Sequence, residues 1–227
     1  MTPRLTGIDR DEALRYLGWK GGAVAEETIR ALDRCAALLL GAAQPRAVWR
    51  LFERSEDGEL VGAGFALQGK AVRALLDGCG QVVLMAATLG AQVDALLRRA
   101  QVEDMARAVM LDACASAAIE NVCDNLCADI AAQVLPKSLT ERFSPGYGDL
   151  PLAQQADFCR VLDTPRRIGV SLTPGGLMVP QKSVTALMGV ADSPAAGRRR
   201  RGRGACESCA LASTCAYRKD GQRCGKD

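Results

Sequence analysis

Histidine is missing from all 227 residues of the chain. Without an imidazole it can build neither a Ser-His-Asp nor a Cys-His nucleophile, no histidine proton relay, and no histidine-ligated zinc. Any metal must therefore be held by cysteine, carboxylate or backbone oxygen. Also absent is any run of eighteen apolar residues, so no segment reads as a membrane span. Residues 1–12 lack the basic patch and apolar core of a secretory signal, and a cytoplasmic setting is the expectation.

What is present divides into two unlike parts. The chain is 48% hydrophobic and 24% charged, with ten cysteines and a formal charge of +3. Its length suits one large domain or one and a half ordinary ones, enough to bury about 70% of the surface of the unfolded chain. Residues 198–227 carry nine basic side chains against three acidic ones, while the first 197 carry 20 basic against 23 acidic. Four of the ten cysteines also fall in that terminal stretch. The expected organisation is an acidic body over 1–192, a basic linker over 193–204, and a cysteine-rich tail over 205–227.

The body reads as α+β: a single compact domain with a mainly antiparallel twisted sheet flanked by helices, one of them long. Asp9, Asp11 and Glu12 cap and charge a first helix, which Gly18, Gly21 and Gly22 stop. Ile29, Leu32, Ala36, Leu39 and Leu40 mark a second amphipathic helix over 23–41. Residues 47–54 and 59–67 read as two β runs joined through Asp57-Gly58, a hairpin signal. A short helix is expected over 70–76, a buried strand over 81–87, and a helix over 91–99. Residues 102–134 carry apolar side chains at helical spacing with no Pro or Gly, a rod of roughly 45–50 Å. Residues 152–162 read as helix, 167–172 as strand, and 181–190 as the last apolar element; no internal repeat of 20–50 residues is found.

In the tail, Cys206, Cys209, Cys215 and Cys224 follow the pattern C-x2-C-x5-C-x8-C. Four thiolates within nineteen residues can close around one metal centre, zinc or a [4Fe-4S] cluster, and the alternative is a pair of disulfides. A reduced compartment argues for metal, and the lack of paired C-x2-C knuckles argues for iron–sulfur over a zinc ribbon. Arg198, Arg199, Arg200, Arg201 and Arg203 form a basic run suited to phosphates or an acidic partner, or simply a solvated linker. No aromatic residue interrupts it, which weakens single-strand nucleic-acid binding. Cys35, Cys79, Cys114, Cys123, Cys127 and Cys159 read as small hydrophobes of the core.

The body's most distinctive stretch is Arg142-Phe143-Ser144-Pro145-Gly146-Tyr147-Gly148-Asp149-Leu150-Pro151. Two prolines and two glycines fix an irregular backbone, while Arg142 can hold a carboxylate and Tyr147 a flat ring or cation. A second small-residue loop covers 171–184.

Together RFSPGYGDLP and SLTPGGLMVPQKSVTALMG resemble the activation domain of cobalamin (vitamin B12)-dependent methionine synthase, and most closely its free-standing bacterial form. The likeness extends through VVLMAATLG, the long helix and the opening DRDEALRYLGWKG, covering residues 8–190. It implies an activation subunit, a methyltransferase component that binds S-adenosylmethionine and supports reductive methylation of cob(II)alamin. The implied partners are a cobalamin-dependent methionine synthase core lacking its own activation domain and an electron donor such as flavodoxin or ferredoxin. By position, Arg142 would meet the cofactor's carboxylate, Pro145 and Gly146 would present backbone to it, and Tyr147 would be the catalytic residue at the cobalamin face. The fused enzymes continue after the loop with a further proline, then a cysteine and an acidic-histidine pair, where this chain reads Gly148-Asp149-Leu150-Pro151-Leu152-Ala153-Gln154-Gln155, and they lack the cysteine tail. Two other readings stand beside this one: a non-catalytic cap for a corrinoid protein with a structural zinc tail, and a nucleic-acid-associated protein acting through the basic tail.

Overall fold

The computed structural model describes residues 1–19, 21–55 and 57–192. The linker and the cysteine-rich tail, with Arg198 to Arg203 and Cys206, Cys209, Cys215 and Cys224, lie outside the described residues.

Helix α1 (Arg10–Tyr16) starts where the Asp9 carboxylate accepts the Glu12 N–H at 3.1 Å, with Asp11 and Glu12 in the first turn. Helix α2 (Glu26–Ala42) buries Leu32, Cys35 and Leu39 along one face. Strand β1 (Arg46–Glu53), helix α3 (Lys70–Leu75), strand β2 (Cys79–Thr88) and helix α4 (Ala91–Glu103) follow. The long helix α5 is Met105–Gln133, 29 residues and about 43 Å. It begins three residues later than the apolar periodicity suggests, because Asp104 takes an extended backbone (φ −160°) and accepts the Arg107 N–H at 3.1 Å. After strand β3 (Ser138–Leu139) come a 3-10 turn at Leu152–Gln154, α6 (Gln155–Leu162) and α7 (Thr164–Ile168). The hairpin β4 (Ser171–Leu172) and β5 (Met178–Val179) leads to strand β6 (Ser183–Ala191).

The main sheet has the order β1-β2-β6-β3 and is antiparallel throughout. Successive side chains alternate between its faces. Val83, Met85, Ala87, Ala186 and Met188 face α1, α2, α4 and α5, and Val82, Leu84, Ala86 and Leu187 face α3, α6 and α7. Layers on both faces explain why β2 reads as a continuous apolar run.

Two expectations need correction. Residues 59–67 form no strand, only the single bridges Arg54 to Leu60 and Glu59 to Ala66, because Gly62 (φ 78°) and Gly64 (φ 70°) turn the chain out of extended geometry. Leu60, Ala63 and Leu67 still enter the core, so the apolar pattern reports burial and not a strand. Residues 167–172 are not one strand: the end of α7, opened by Pro165 in its first turn and closed by Gly169 at φ 72°, takes the first two, and only Ser171 and Leu172 are strand. Among the described residues, no helix is long and apolar enough to cross a membrane.

Candidate functional site

Beyond β3 the chain stays on the edge of β6. The Thr140 N–H donates to Gly189 O at 2.9 Å, and Phe143 and Leu187 exchange two bonds of 2.9 and 2.8 Å. Phe143 is buried in the second core, and strand alternation sends Arg142 to the opposite face, over α5.

There its guanidinium meets two carboxylates one helical turn apart, Glu120 Oε2 at 2.7 Å and Asp124 Oδ1 at 2.8 Å. Cys127 Sγ lies 3.7 Å from Nη1. The Arg142 side chain is only 22% exposed, so its stem is packed and its head is held before any ligand arrives. One further acid and one hydroxyl continue the same line. Lys182, from the loop before β6, pairs with Asp112 Oδ1 at 2.8 Å and donates to Ser116 Oγ at 3.0 Å. Asp112, Ser116, Glu120 and Asp124 stand at four-residue intervals, a polar ridge rising about 18 Å along α5. Three carboxylates face two cations there, leaving one net negative charge. Tyr16 at the end of α1 borders the ridge: burial first, then the charge of Glu120, raises its phenol above the ordinary value.

The loop after Arg142 is a self-closed turn. Gly146 N–H donates to Leu150 O at 2.9 Å, Leu150 N–H to Tyr147 O at 3.0 Å, and Tyr147 N–H to Ser144 O at 3.1 Å. Gly146 takes φ 90°, and its N–H is committed inside the turn. Pro145 is buried and Tyr147 is 69% exposed. Asp149 then reaches α3, where its carboxylate accepts the N–H groups of Lys70 at 2.6 Å and Ala71 at 3.0 Å. Those two donors, Ala71 first, hold its carboxyl below the usual aspartate range. Gln154 fastens the next segment, accepting the Gln68 N–H at 2.9 Å and donating to Ala66 O at 2.7 Å, and Gln155 donates to Gly176 O at 2.7 Å.

The second loop is tied to α4: buried Asp94 accepts the Gln181 N–H at 2.8 Å. Ser183 Oγ lies within hydrogen-bond distance of Thr88 Oγ1 at 2.8 Å and Pro180 O at 2.7 Å. Both loops seen in the sequence therefore border the α5 ridge, Arg142 at one end and Lys182 at the other.

Arg142, Pro145, Gly146 and Tyr147 thus share one short stretch. Glu120, Asp124, Lys182 and Asp149 join them and were not singled out from sequence. The polar four-residue period 112–116–120–124 inside an apolar helix was the available signal. Among the body cysteines, all but Cys127 are buried, with burial pushing the Cys114 and Cys123 thiols up to about 12. Among the described residues, no group of three or more His, Cys, Asp or Glu side chains is placed to hold a metal ion.

No family model matches the chain, and no curated protein does. Among solved structures, the crystal structure of the MetH reactivation domain bound to AdoHcy is similar, with a TM-score of 0.59 at 18% sequence identity. The match covers 95% of this chain and 82% of that one. At that identity the finding concerns architecture: this chain has the fold of the MetH reactivation domain.

Proposed function

We propose that the chain is an accessory subunit that binds S-adenosylmethionine and supports reductive methylation of cob(II)alamin in a cobalamin-dependent methionine synthase. The observation that carries this reading is Arg142, seated between Glu120 and Asp124 at the foot of the Pro-Gly-Tyr turn, on a fold shared with a domain crystallised with AdoHcy. When bound, S-adenosylmethionine supplies a methyl group to the partner's reduced cobalt and leaves as S-adenosylhomocysteine, the electron for cobalt coming from a flavodoxin- or ferredoxin-like donor.

The residues present fit such a ligand by charge. At neutral pH it carries one carboxylate, one ammonium and one sulfonium, a net +1, and the ridge carries a net −1. A ligand carboxylate on Arg142 draws the guanidinium from Glu120 and Asp124 and frees them to meet the ammonium. The exchange replaces ion pairs with ion pairs, so no charge is left buried and unpaired. Tyr147, exposed to solvent, can lie against the sulfonium as a cation–π partner. Methyl transfer demands alignment and charge placement and no proton relay, which agrees with a chain free of histidine. The proposal extends to Cys206, Cys209, Cys215 and Cys224 as ligands of a [4Fe-4S] cluster or zinc, the cluster serving as the electron relay.

Calorimetric titration with S-adenosylmethionine tests the ligand. One site per chain is expected, and Arg142→Ala should weaken it about a hundredfold, the worth of a paired, charge-assisted contact of about 3 kcal/mol. A non-catalytic cap, in which Arg142 is only a structural ion-pair partner, gives no heat. Methylation of cob(II)alamin in a synthase core lacking its own activation domain, appearing only with this chain and a reductant, tests the activity. Full activity of the Arg142→Ala variant would overturn the placement.

A further inference from the structure

The Pro-Gly-Tyr turn is stapled to a helix nearly eighty residues upstream, and its own hydrogen bonds do not account for where it points. Residues 144–150 close on themselves through the bonds from Tyr147, Gly146 and Leu150. Such a turn keeps its shape, and buried Pro145 and Leu150 anchor its two ends, while Gly146 to Asp149 between them stand exposed. Two contacts fix that exposed part against α3. Gly148 packs so closely that a Cβ there would stand 3.2 Å from the Phe143 ring and 3.4 Å from Ala71 Cβ. Asp149 places both carboxylate oxygens on consecutive backbone N–H groups of α3's first turn. The receiving side is shaped for it. Gly69 precedes α3 at φ 104°, and a Cβ there would come within 2.7 Å of Asp149 Oδ1 and 2.9 Å of its carbonyl oxygen. No side chain of α3's own N-terminus caps those donors, since the cap position is this glycine.

We propose that Asp149 is a positioning residue for the cofactor site: by capping α3 across Gly69 it holds the Pro145–Gly146–Tyr147 turn in register with Arg142, so that carboxylate grip and aromatic rim are presented together. This rests on the ligand reading given above. Asp149 touches no ligand in this scheme. It acts through the turn, raising the fraction of molecules whose site is already assembled, and apparent affinity scales with that fraction.

The experiment combines amide hydrogen exchange with calorimetry at pH 7, on the full chain, with S-adenosylmethionine as the probe. In wild type the Lys70 and Ala71 amides should be protected. Asp149→Ala should release them and speed exchange over 144–150, leaving β2 and α5 unchanged. The dissociation constant should rise about tenfold with the stoichiometry still one per chain. Asp149→Asn keeps one acceptor and should fall between the two, and Gly69→Ala, which strikes the same contact from the other side, should copy Asp149→Ala. Lost stoichiometry at unchanged affinity would mean a merely structural residue and would overturn the proposal, as would unaltered affinity in Asp149→Ala. If wild type itself gives no heat, the ligand reading falls, and exchange alone decides whether Asp149 holds the turn. Faster exchange at Lys70, Ala71 and 144–150 in Asp149→Ala upholds the latch, and unchanged exchange sinks it.

Discussion

Gly189 stands in β6 where a methyl group would lie 2.6 Å from Cys79 Sγ, 2.9 Å from Leu76 Cδ2 and 3.0 Å from Thr140 Cγ2. Its N–H also donates to Thr140 Oγ1 at 2.8 Å, so backbone and side chain of Thr140 both depend on close approach at this point. That approach seats residues 140–143 against the sheet and so aims Arg142. Gly189→Ala should cost about 1–3 kcal/mol in urea unfolding, the usual toll of forcing a carbon into a packed core. On the ligand reading proposed above it should also weaken S-adenosylmethionine binding, because the edge segment must shift away from β6. An unchanged unfolding midpoint would show that the neighbouring side chains yield freely. Arg142, by contrast, is distinctive in sequence, but the two acids that hold it precede it by 22 and 18 residues on another element.

Helix α5 is the element on which the site is assembled. Its apolar stripe enters the core, its ridge from Asp112 to Asp124 faces the two loops, and a third line fastens the N-terminal segment. On that third line Thr6 N–H and Oγ1 both meet Asn121 Oδ1 at 3.3 Å, Asn125 donates to Arg4 O at 3.1 Å, and Arg4 pairs with Asp129 at 3.4 Å. On the buried side, Cys114 and Cys123 have thiols raised by burial to about 12. A pKa raised in the folded state means stability that is complete below the unfolded thiol value, near 9, and is lost as pH climbs toward 12. Wild type should therefore lose stability between pH 9 and 11 by up to about 1.4 kcal/mol per pH unit for each thiol. A Cys114→Ala/Cys123→Ala variant should show a shallower alkaline limb in urea midpoints measured at pH 8, 9, 10 and 11. Equal slopes would mean that these thiols do not sense the unfolding. The same burial predicts that iodoacetamide at pH 8 leaves both unmodified in the native protein, as read by mass spectrometry.

At the scale of the molecule, the described residues 1–192 contain two apolar cores and a four-stranded sheet between them. A fragment ending at residue 192 should therefore fold cooperatively and, if the ligand reading holds, bind S-adenosylmethionine as the full chain does. Metal should behave oppositely. Anaerobically purified full-length chain should carry iron and sulfide with broad visible absorption, and the fragment should carry neither. One zinc per chain with no visible absorption would end the electron-relay role.

The residues alone settled most of the local structure. Apolar spacing located α2 and α5, capping acids and glycine stops located α1, and an unbroken apolar run located the buried strand β2, because each element leaves its own mark on whatever must be buried or capped. The same logic misread 59–67 and 167–172, where apolar side chains serve the core from turns and a short helix. Composition likewise excluded imidazole chemistry outright. Tertiary structure decided what local periodicity cannot carry: which distant groups meet. Asp149 caps a helix 79 residues upstream, Gln181 bonds to Asp94 across 87, and Arg142 finds Glu120 and Asp124 only because residues 138–143 take the edge beside β6. Those pairings follow from the strand order β1-β2-β6-β3, a long-range arrangement selected by burial of two faces at once and written in no single stretch of the chain.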